Sequence, residues 1–274
     1  MTTTTYIKKL FLISLLGLLS GLLNGCATTA PRNDIDRSAV AKGQEDRVQF
    51  IILHYTAIDQ PTSLRVLSTQ DVSAHYLVGN ETPVKVWQLV DESRMAYHAG
   101  YSDWRDFSRL NASSIGIEIV NLGYKETPDG RVYFPFPQAQ IDRVIALVKD
   151  ISTRYHIRPQ YILAHSDIAP QRKPDPGPLF PWKQLADAGL IPWPDASEVM
   201  ALQPSYEQEL PDVKWFQQKL AKIGYKIPQQ GIMDDATKNV IAAFQMKYRP
   251  EKFDGVPDAQ TAAMIDVLLS KIKT

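Results

Sequence analysis

Residues 164–180 read AHSDIAPQRKPDPGPLF and follow a short apolar run at residues 161–163. The apolar run predicts a buried strand. The four prolines that come after it are too many for a helix, and they make the backbone too stiff for a mobile loop. The stretch therefore predicts a rigid loop at the end of a strand, which is where α/β proteins hold chemical groups in place.

Two side chains of this loop, His165 and Asp175, are suitable zinc ligands, because zinc binds imidazole nitrogen and carboxylate oxygen. A third candidate, His54, ends another apolar run at residues 48–54. A catalytic zinc site has three protein ligands and leaves its fourth position to water. Spacing alone leaves a second interpretation equally open, in which both histidines are hydrogen-bonded members of the core.

Strand and helix patterns alternate along the first two thirds of the chain. Apolar runs predict strands at residues 48–54, 73–78, 84–90, 113–120 and 161–165, and helices are predicted at residues 63–69, 137–155 and 182–188. This alternation predicts an α/β domain over residues 47–195, with a mixed central β-sheet flanked by helices.

Polar residues lie at or near the carboxyl ends of three of these strands. His54, Glu118 and His165 occupy those positions, and a buried polar side chain is costly unless it is bonded. If the strands are neighbours, the three side chains meet at one edge of the sheet. Glu118 is then placed to act as a general base, and the ammonium of Lys173 is placed to stabilise a developing oxyanion.

The remaining histidines carry weaker signals. His75 lies in a predicted strand and His98 in a Tyr-His-Ala-Gly turn, so either could line a cleft, although each is more often structural. His156 follows the long predicted helix and is interpreted as a surface or capping residue.

The amino terminus has the pattern of an export signal. Lys8 and Lys9 precede an apolar run of residues 10–23, which is shorter than the roughly 20 residues that span a bilayer. The run ends in LNGC, where Cys26 is the chain's single cysteine. This segment resembles the lipobox of bacterial lipoproteins, in which the cysteine is lipidated. The alternative is an ordinary signal peptide with an incidental cysteine. Residues 27–46 are polar and aperiodic and are predicted to be a tether.

The carboxyl-terminal region lacks the strand patterns of the first two thirds of the chain. Residues 196–206 show little periodicity and are predicted to be a linker. Three apolar stripes at helical spacing then predict a small all-α three-helix domain over residues 207–274. A Gly-x-x-Asp-x-x-Thr pattern begins at Gly231 and again at Gly255, and its aspartate is placed to cap the next helix.

Composition excludes some classes of protein. The formal net charge is zero, which argues against a nucleic-acid binder. One cysteine excludes an intramolecular disulfide, so an exported chain must be held by its core and any metal.

Several motifs together carry a family resemblance. In chain order they are LHYT at residues 53–56, SAHY at 73–76, YHAG at 97–100, SIGIE at 114–118 and HSDIAPQRKPDPG at 165–177. The chain resembles the zinc-dependent N-acetylmuramoyl-L-alanine amidases of the AmpD/AmiD type over about residues 47–195. The last motif is highly specific. Residues 207–274 resemble, more weakly, the peptidoglycan-binding domain often fused to cell-wall hydrolases.

The resemblance implies one catalytic zinc ion on His54, His165 and Asp175, with Glu118 and Lys173 as the catalytic pair. It implies hydrolysis of the amide between N-acetylmuramic acid and L-alanine in peptidoglycan or muropeptides. Substrate contacts are predicted for Tyr55, His98 and Arg172.

The predicted location is the outer membrane, facing the periplasm, through a lipid anchor on Cys26; Ala27, rather than aspartate, follows this cysteine. Two rival functions remain open at this stage. One is a peptidoglycan-binding lipoprotein without activity, and the other is a zinc peptidase that cuts within the stem peptide.

Overall fold

A computed structural model describes residues 35–272 of the chain. The predicted signal peptide and lipobox, with Cys26, lie outside the described residues. The chain divides into residues 1–44 and residues 45–274. In the first unit, residues 35–44 are exposed and form neither helix nor strand. Among residues 35–272, no helix combines the length and apolarity that a membrane-spanning helix needs.

A five-stranded sheet forms the centre of residues 45–274. Its strands are β1 (Phe50–Tyr55), β2 (Tyr76–Val78), β3 (Val86–Gln88), β6 (Ser114–Ile119) and β9 (Ile162–Ala164). Their order is β3-β2-β6-β1-β9, in which β3 is antiparallel to β2 and the other neighbours are parallel. The predicted mixed sheet is therefore confirmed.

Two small hairpins supplement this sheet. They pair β4 (Asp103–Trp104) with β5 (Phe107–Ser108), and β7 (Tyr124–Thr127) with β8 (Gly130–Tyr133). Neither hairpin was predicted, because both are short and largely polar.

Eight α-helices occur within residues 35–272, together with two short 3₁₀ helices at Leu110–Ala112 and Pro159–Tyr161. The α-helices are α1 (Gln60–Thr69), α2 (Gln138–Arg154), α3 (His165–Ile168), α4 (Trp182–Asp187), α5 (Ala196–Gln208), α6 (Val213–Ile223), α7 (Asp235–Tyr248) and α8 (Ala259–Lys271). The single turn of α3 lies within the stretch predicted to be a stiff loop, and it ends before the first proline of that stretch, Pro170.

One face of the sheet packs against α2. Ile141, Val144, Val148 and Ile151 are buried at the helical spacing that predicted this helix. They form one apolar cluster with Ile51 and with other strand residues, which alternate along each strand and so lie on the same face of the sheet. Each such side chain contributes roughly 1.5–3 kcal/mol on burial, so this face anchors the strands that carry the site.

The other face of the sheet shares a core with the carboxyl-terminal helices. Phe50, Ile52 and Leu163 belong to the same buried apolar cluster as Phe216 of α6 and Phe244 of α7. Because strand side chains alternate between faces, His54 projects on the same face as Phe50 and Ile52. The carboxyl-terminal helices therefore complete the side of the sheet from which the site is built.

The prediction of a linker at residues 196–206 is wrong, because α5 covers this segment. Asp195 caps the helix by accepting from the amides of Ser197 and Glu198. Val199 is buried with Ala263 and Val267 of α8. The helix was missed because its apolar stripe is short and Pro204 lies inside it. The three predicted helices α6, α7 and α8 are present, and α5 is a fourth helix packed on them.

The repeated aspartates cap their helices as predicted. Asp234 accepts from the amide of Thr237 at 2.8 Å, and Asp258 accepts from the amide of Thr261 at 2.9 Å. Each cap satisfies an amide at the start of a helix, which has no partner within the helix itself.

A buried ion pair ties α7 to the turn that carries His165. Lys247 Nζ lies 2.7 Å from Asp167 Oδ2, and both side chains are nearly inaccessible. The hydroxyl of Tyr225 donates to Asp167 Oδ1 at 2.6 Å. The amide of Ala164 donates to the Oδ2 atom at 2.8 Å. Two residues of the carboxyl-terminal region thus hold a carboxylate two positions from His165.

Candidate metal centre and catalytic cleft

Parallel strand register brings the candidate residues together at the carboxyl edge of the sheet. His54 on β1 lies opposite Glu118 on β6. On the other side of β1, Leu53 pairs with Ala164, the residue before His165. Asp175 lies further along the proline-rich loop, whose backbone returns so that its carbonyl accepts from the amide of Ser166 at 2.9 Å.

Three ligand atoms face one another at this edge. His54 Nδ1 lies 2.9 Å from His165 Nδ1 and 3.2 Å from Asp175 Oδ2, and His165 Nδ1 lies 3.0 Å from the same oxygen. All three residues are buried. Ligand atoms around a tetrahedral zinc ion lie about 3.4 Å apart, given zinc–nitrogen bonds of about 2.1 Å. The donor set and its spacing therefore fit a zinc ion.

The electrostatics suit a cation at this point. Burial, together with the neighbouring His165, lowers the pKa of His54 to about 4, so its imidazole is neutral near pH 7. Burial opposes ionisation of Asp175, but the two imidazoles outweigh it and hold the pKa of this carboxyl well below its usual range. The cluster thus brings together two imidazole nitrogens and one carboxylate, a donor set that suits a divalent ion.

A hydrogen-bond chain sets the tautomer of His54. The hydroxyl of Ser114 donates to the carbonyl of Leu110 at 2.5 Å, so its oxygen accepts from His98 Nε2 at 3.2 Å. His98 Nδ1 then carries a lone pair and accepts from His54 Nε2 at 3.0 Å. His54 consequently presents its Nδ1 lone pair to the ligand cluster.

The loop that carries His98 also orients His165. His165 Nε2 donates to the carbonyl of Ala99 at 3.3 Å, which leaves its Nδ1 lone pair for a metal. The loop is fixed in turn by Asn111, whose Oδ1 accepts from the amides of His98 and Ala99 at 3.1 and 2.7 Å. Adjacent residues of one loop therefore hold the outer nitrogens of both histidines.

Glu118 has a buried carboxylate oxygen without a partner at the site. Its Oε2 is buried and makes no hydrogen bond within residues 35–272. Burial and the neighbouring charge of Asp175 together raise the pKa of Glu118 to about 8, although the charge of Lys173 opposes both effects. A carboxylate held in this way is suited to exchanging a proton at the site.

A cleft of about 420 Å³ opens over these residues. Lys173 is exposed at its wall, and its ammonium has no hydrogen-bond or ion-pair partner among the described residues. The lining also includes the predicted substrate contacts Tyr55, His98 and Arg172. The cleft thus places a free cation and a proton-exchanging carboxylate around one small volume.

The three predicted substrate contacts have different surroundings. Tyr55 is buried at the end of β1, where its ring packs on Gly123. His98 is bonded to His54, as described above. Arg172 donates to the carbonyls of Ala99 and Tyr101. Two of these side chains therefore brace the site, and their contact with substrate stays a prediction.

Other predicted histidines lie apart from the ligand cluster. His75 immediately precedes β2, and its Nδ1 accepts from the amide of Gly116 at 3.0 Å. Its Nε2 donates to the carbonyl of Arg94 at 3.0 Å, so its role is structural. His156 is exposed, as expected.

The fold and the site together define a mixed α/β protein with a candidate metal centre at the floor of an open cleft. The sequence profile of the N-acetylmuramoyl-L-alanine amidases matches residues 44–178, and that of a putative peptidoglycan binding domain matches residues 209–265. The chain is 41% identical over 261 residues to the N-acetylmuramoyl-L-alanine amidase AmiD of Escherichia coli K12, covering 91% of this chain and 94% of that protein. The chain belongs to the N-acetylmuramoyl-L-alanine amidase family.

Two solved structures extend the comparison. A complex of E. coli AmiD with anhydro-N-acetylmuramic acid-L-Ala-D-γ-Glu-L-Lys superposes with a TM-score of 0.80 at 42% identity, covering 86% of this chain and 94% of that one. AmpDh3 from Pseudomonas aeruginosa, in complex with anhydromuramic pentapeptide, gives a TM-score of 0.80 at 35% identity, covering 86% and 98%. The likeness extends over the carboxyl-terminal helices as well as the sheet.

Proposed function

We propose that this amidase depends on zinc and cuts the amide between the lactyl group of N-acetylmuramic acid and L-alanine. His54, His165 and Asp175 would hold the ion. The observation that carries the proposal is the convergence of these three ligand atoms beside a glutamate oxygen that has no partner. Zinc bound by these residues would supply Lewis-acid activation of water and of the substrate carbonyl.

Two side chains of the cleft supply proton transfer and charge stabilisation. Glu118 takes a proton from the attacking water and returns it to the nitrogen of the leaving L-alanine. Lys173 faces the same cleft with a free ammonium, which stabilises the negative charge that develops on the carbonyl oxygen. Its charge also favours the ionised form of Glu118, which the base must have before it can accept a proton.

The substrate class follows from the relatives. The E. coli and P. aeruginosa proteins bind muropeptides in the structures compared above. We assign muropeptides and peptidoglycan to this chain on that likeness and on the matched peptidoglycan binding domain. The stem peptide attached to L-alanine contains a γ-linked D-glutamate, and this linkage leaves the α-carboxylate of the glutamate free.

The metal is tested by metal analysis of the purified protein. We expect one zinc ion per chain, removed by a chelator and restored by added zinc, with amidase activity following the zinc content. A fully active protein without bound metal would contradict the proposal.

The orientation of His54 gives a separate prediction. His98→Ala removes the acceptor for His54 Nε2, so we expect zinc affinity to fall about 10–100-fold. His98→Asn should retain most of the affinity, because its amide oxygen can occupy the position of Nδ1. Competition with a chromogenic chelator measures both values.

His156→Asn is the matched control for this prediction, since it changes an exposed histidine at the end of α2. Wild-type zinc affinity in a folded His98→Ala variant would show that the chain from Ser114 to His54 does not orient the ligand.

Lipidation of Cys26 and a periplasm-facing position on the outer membrane are also proposed, on the lipobox-like segment LNGC. Two or more acyl chains would anchor the protein stably, since one chain binds only marginally. Labelled palmitate should enter the wild-type chain but not Cys26→Ala when each is expressed in a bacterium with an outer membrane. Equal labelling of the two would overturn the anchor.

A further inference from the structure

The turn that carries His165 is too short to fix its own orientation. Helix α3 has four residues, and the amide of Ala169 closes it on the carbonyl of His165 at 2.9 Å. A single turn is unfavourable alone, because it orders several residues for few hydrogen bonds. The amide of Ser166 in this turn also donates to the carbonyl of Asp175 at 2.9 Å. Whatever orients α3 therefore places two of the three ligand residues.

The apolar contacts of α3 come from the carboxyl-terminal helices. All four residues of the turn are buried. Ile168 and Ala169 belong to the apolar cluster that contains Phe216 of α6 and Phe244 of α7. The turn thus packs on the carboxyl-terminal region as well as on the sheet.

Asp167 supplies the polar contacts of the same turn. Its carboxylate accepts from three segments of the chain: the amide of Ala164 at 2.8 Å, Lys247 Nζ at 2.7 Å and the hydroxyl of Tyr225 at 2.6 Å. Asp167 is 1% exposed, so water cannot replace a lost partner. Since Ala164 precedes His165 and Asp167 follows it, the backbone of the ligand lies between two fixed points.

The first carboxyl-terminal partner, Lys247, is itself held in place. Its Nζ also donates to the carbonyl of Ile162 in β9 at 3.3 Å and lies 4.4 Å from the centroid of the Trp182 ring. A lysine over an indole face is attracted by the ring. Lys247 therefore binds the strand that leads into His165 as well as the turn that contains it.

The second partner, Tyr225, is fixed by the β4–β5 hairpin. Its ring packs edge-on against Trp104, with centroids 4.9 Å apart. The amide of Arg105 in this hairpin donates to the carbonyl of Gly224 at 2.8 Å. The hydroxyl of Tyr225 thus reaches Asp167 from a braced position.

We propose that Asp167 is a positioning residue for the metal centre, and that the carboxyl-terminal region sets its position through Tyr225 and Lys247. The inference rests on the proposed zinc site. The carboxyl-terminal region then contributes to metal affinity, because it fixes the turn that places His165 and Asp175 against His54.

The test is Tyr225→Phe in the full chain, which removes one hydroxyl and keeps the ring. Partners that bond a metal ligand directly change affinity about 10–100-fold. Tyr225 acts through one further residue, so we expect zinc affinity to fall about threefold to tenfold. Competition with a chromogenic chelator measures the affinity. The rise in melting temperature on adding zinc should shrink in parallel, since it depends on the same affinity.

A spectroscopic measurement separates positioning from general stability. The visible absorption bands of the cobalt-substituted protein report the geometry of the ligands, and we expect them to shift in Tyr225→Phe. Tyr206→Phe is the matched control. It removes a hydroxyl that donates to Asp266, a carboxylate of α8, and so loses the same kind of bond within the carboxyl-terminal region. Its zinc affinity and its cobalt spectrum should match those of the wild type.

A second variant applies if Tyr225→Phe does not fold, as judged by thermal melting. Asp167→Asn combined with Lys247→Met removes the ion pair without leaving a buried charge unpaired. We expect its zinc affinity to fall at least as far as that predicted for Tyr225→Phe, because the amide of Ala164 and α7 both lose the carboxylate.

Two outcomes would overturn the proposal. One is wild-type zinc affinity with an unchanged cobalt spectrum in the folded variant. The other is an equal loss of affinity in Tyr206→Phe, which would assign the effect to stability alone. A wild-type protein that binds no zinc would instead contradict the proposed function.

Discussion

Replacing Glu118 with glutamine is expected to lower kcat by about 10²–10⁴-fold while zinc binding and the fold remain intact. The amide has nearly the shape of the carboxylate but cannot accept the proton of the attacking water. Glu118 lies across from His54 in the sheet register without belonging to the ligand cluster, so the metal should stay in place.

Thermal stability should stay the same or rise in this variant. Glu118 Oε2 is buried without a hydrogen-bond partner, and burying a charge in this way is costly. Because the pKa of Glu118 is raised to about 8, the cost is present mainly above that pH, and the gain in stability of the glutamine variant should be larger there than at pH 7. Lower activity without lower stability is the pattern expected of a catalytic residue.

Rates of muropeptide cleavage, zinc content and melting temperature measured on one preparation test this prediction. Glu81→Gln, which changes an exposed glutamate, is the matched control and should match the wild type in all three measurements. Cleavage by Glu118→Gln at the wild-type rate would remove Glu118 from the mechanism.

Replacing Lys247 with methionine is expected to destabilise the protein by about 3–5 kcal/mol, because it leaves Asp167 as an uncompensated buried charge. The side chains of Lys247 and Asp167 are 4% and 0% exposed, so solvent cannot replace the lost partner. For a chain of this size the change corresponds to a fall in melting temperature of about 6–20 °C.

Two further variants make this result specific. Lys238→Met changes an exposed lysine on the same helix and should shift the unfolding free energy by less than about 0.5 kcal/mol. Adding Asp167→Asn to Lys247→Met should recover part of the loss, because the unpaired charge is removed. A Lys247→Met protein with the same melting temperature as the wild type would show that the ion pair between Lys247 and Asp167 does not stabilise the fold.

The strands and ligands of the catalytic domain could be predicted because their signals are local. Strands β1 and β6 are buried on both faces and therefore appear as continuous apolar runs. His54, His165 and Asp175 lie in short motifs whose residue types alone indicate zinc. Parallel pairing then brings the ends of these strands to one edge.

The supports of the site could not be predicted, because they depend on contacts between distant segments. Ser114 and Asn111 act through His98 and Ala99, and no spacing in the sequence links them to a metal ligand. Lys247 pairs with a residue 80 positions away. The position of Lys247 in an otherwise apolar stripe of α7 indicates a buried charge. The sequence does not indicate which residue pairs with it.

The carboxyl-terminal region differed from its prediction for a related reason. Its amphipathic stripes predicted three helices, but not that these helices share a core with the sheet. The same apolar residues would suit a separate domain, and only tertiary packing decides between the two arrangements. Deletion of residues 209–274 would expose Phe50 and Ile52, whose cluster includes residues of α6 and α7.

The most direct test of this account is mass spectrometry of a defined muropeptide incubated with the purified protein, with and without a chelator, and again after zinc is restored. We expect an L-alanyl peptide and a sugar with a free lactyl carboxylate, lost on chelation and regained with zinc. Fragments cut within the stem peptide would indicate a peptidase. An intact muropeptide under zinc-replete conditions would contradict the amidase mechanism derived from His54, His165, Asp175 and Glu118.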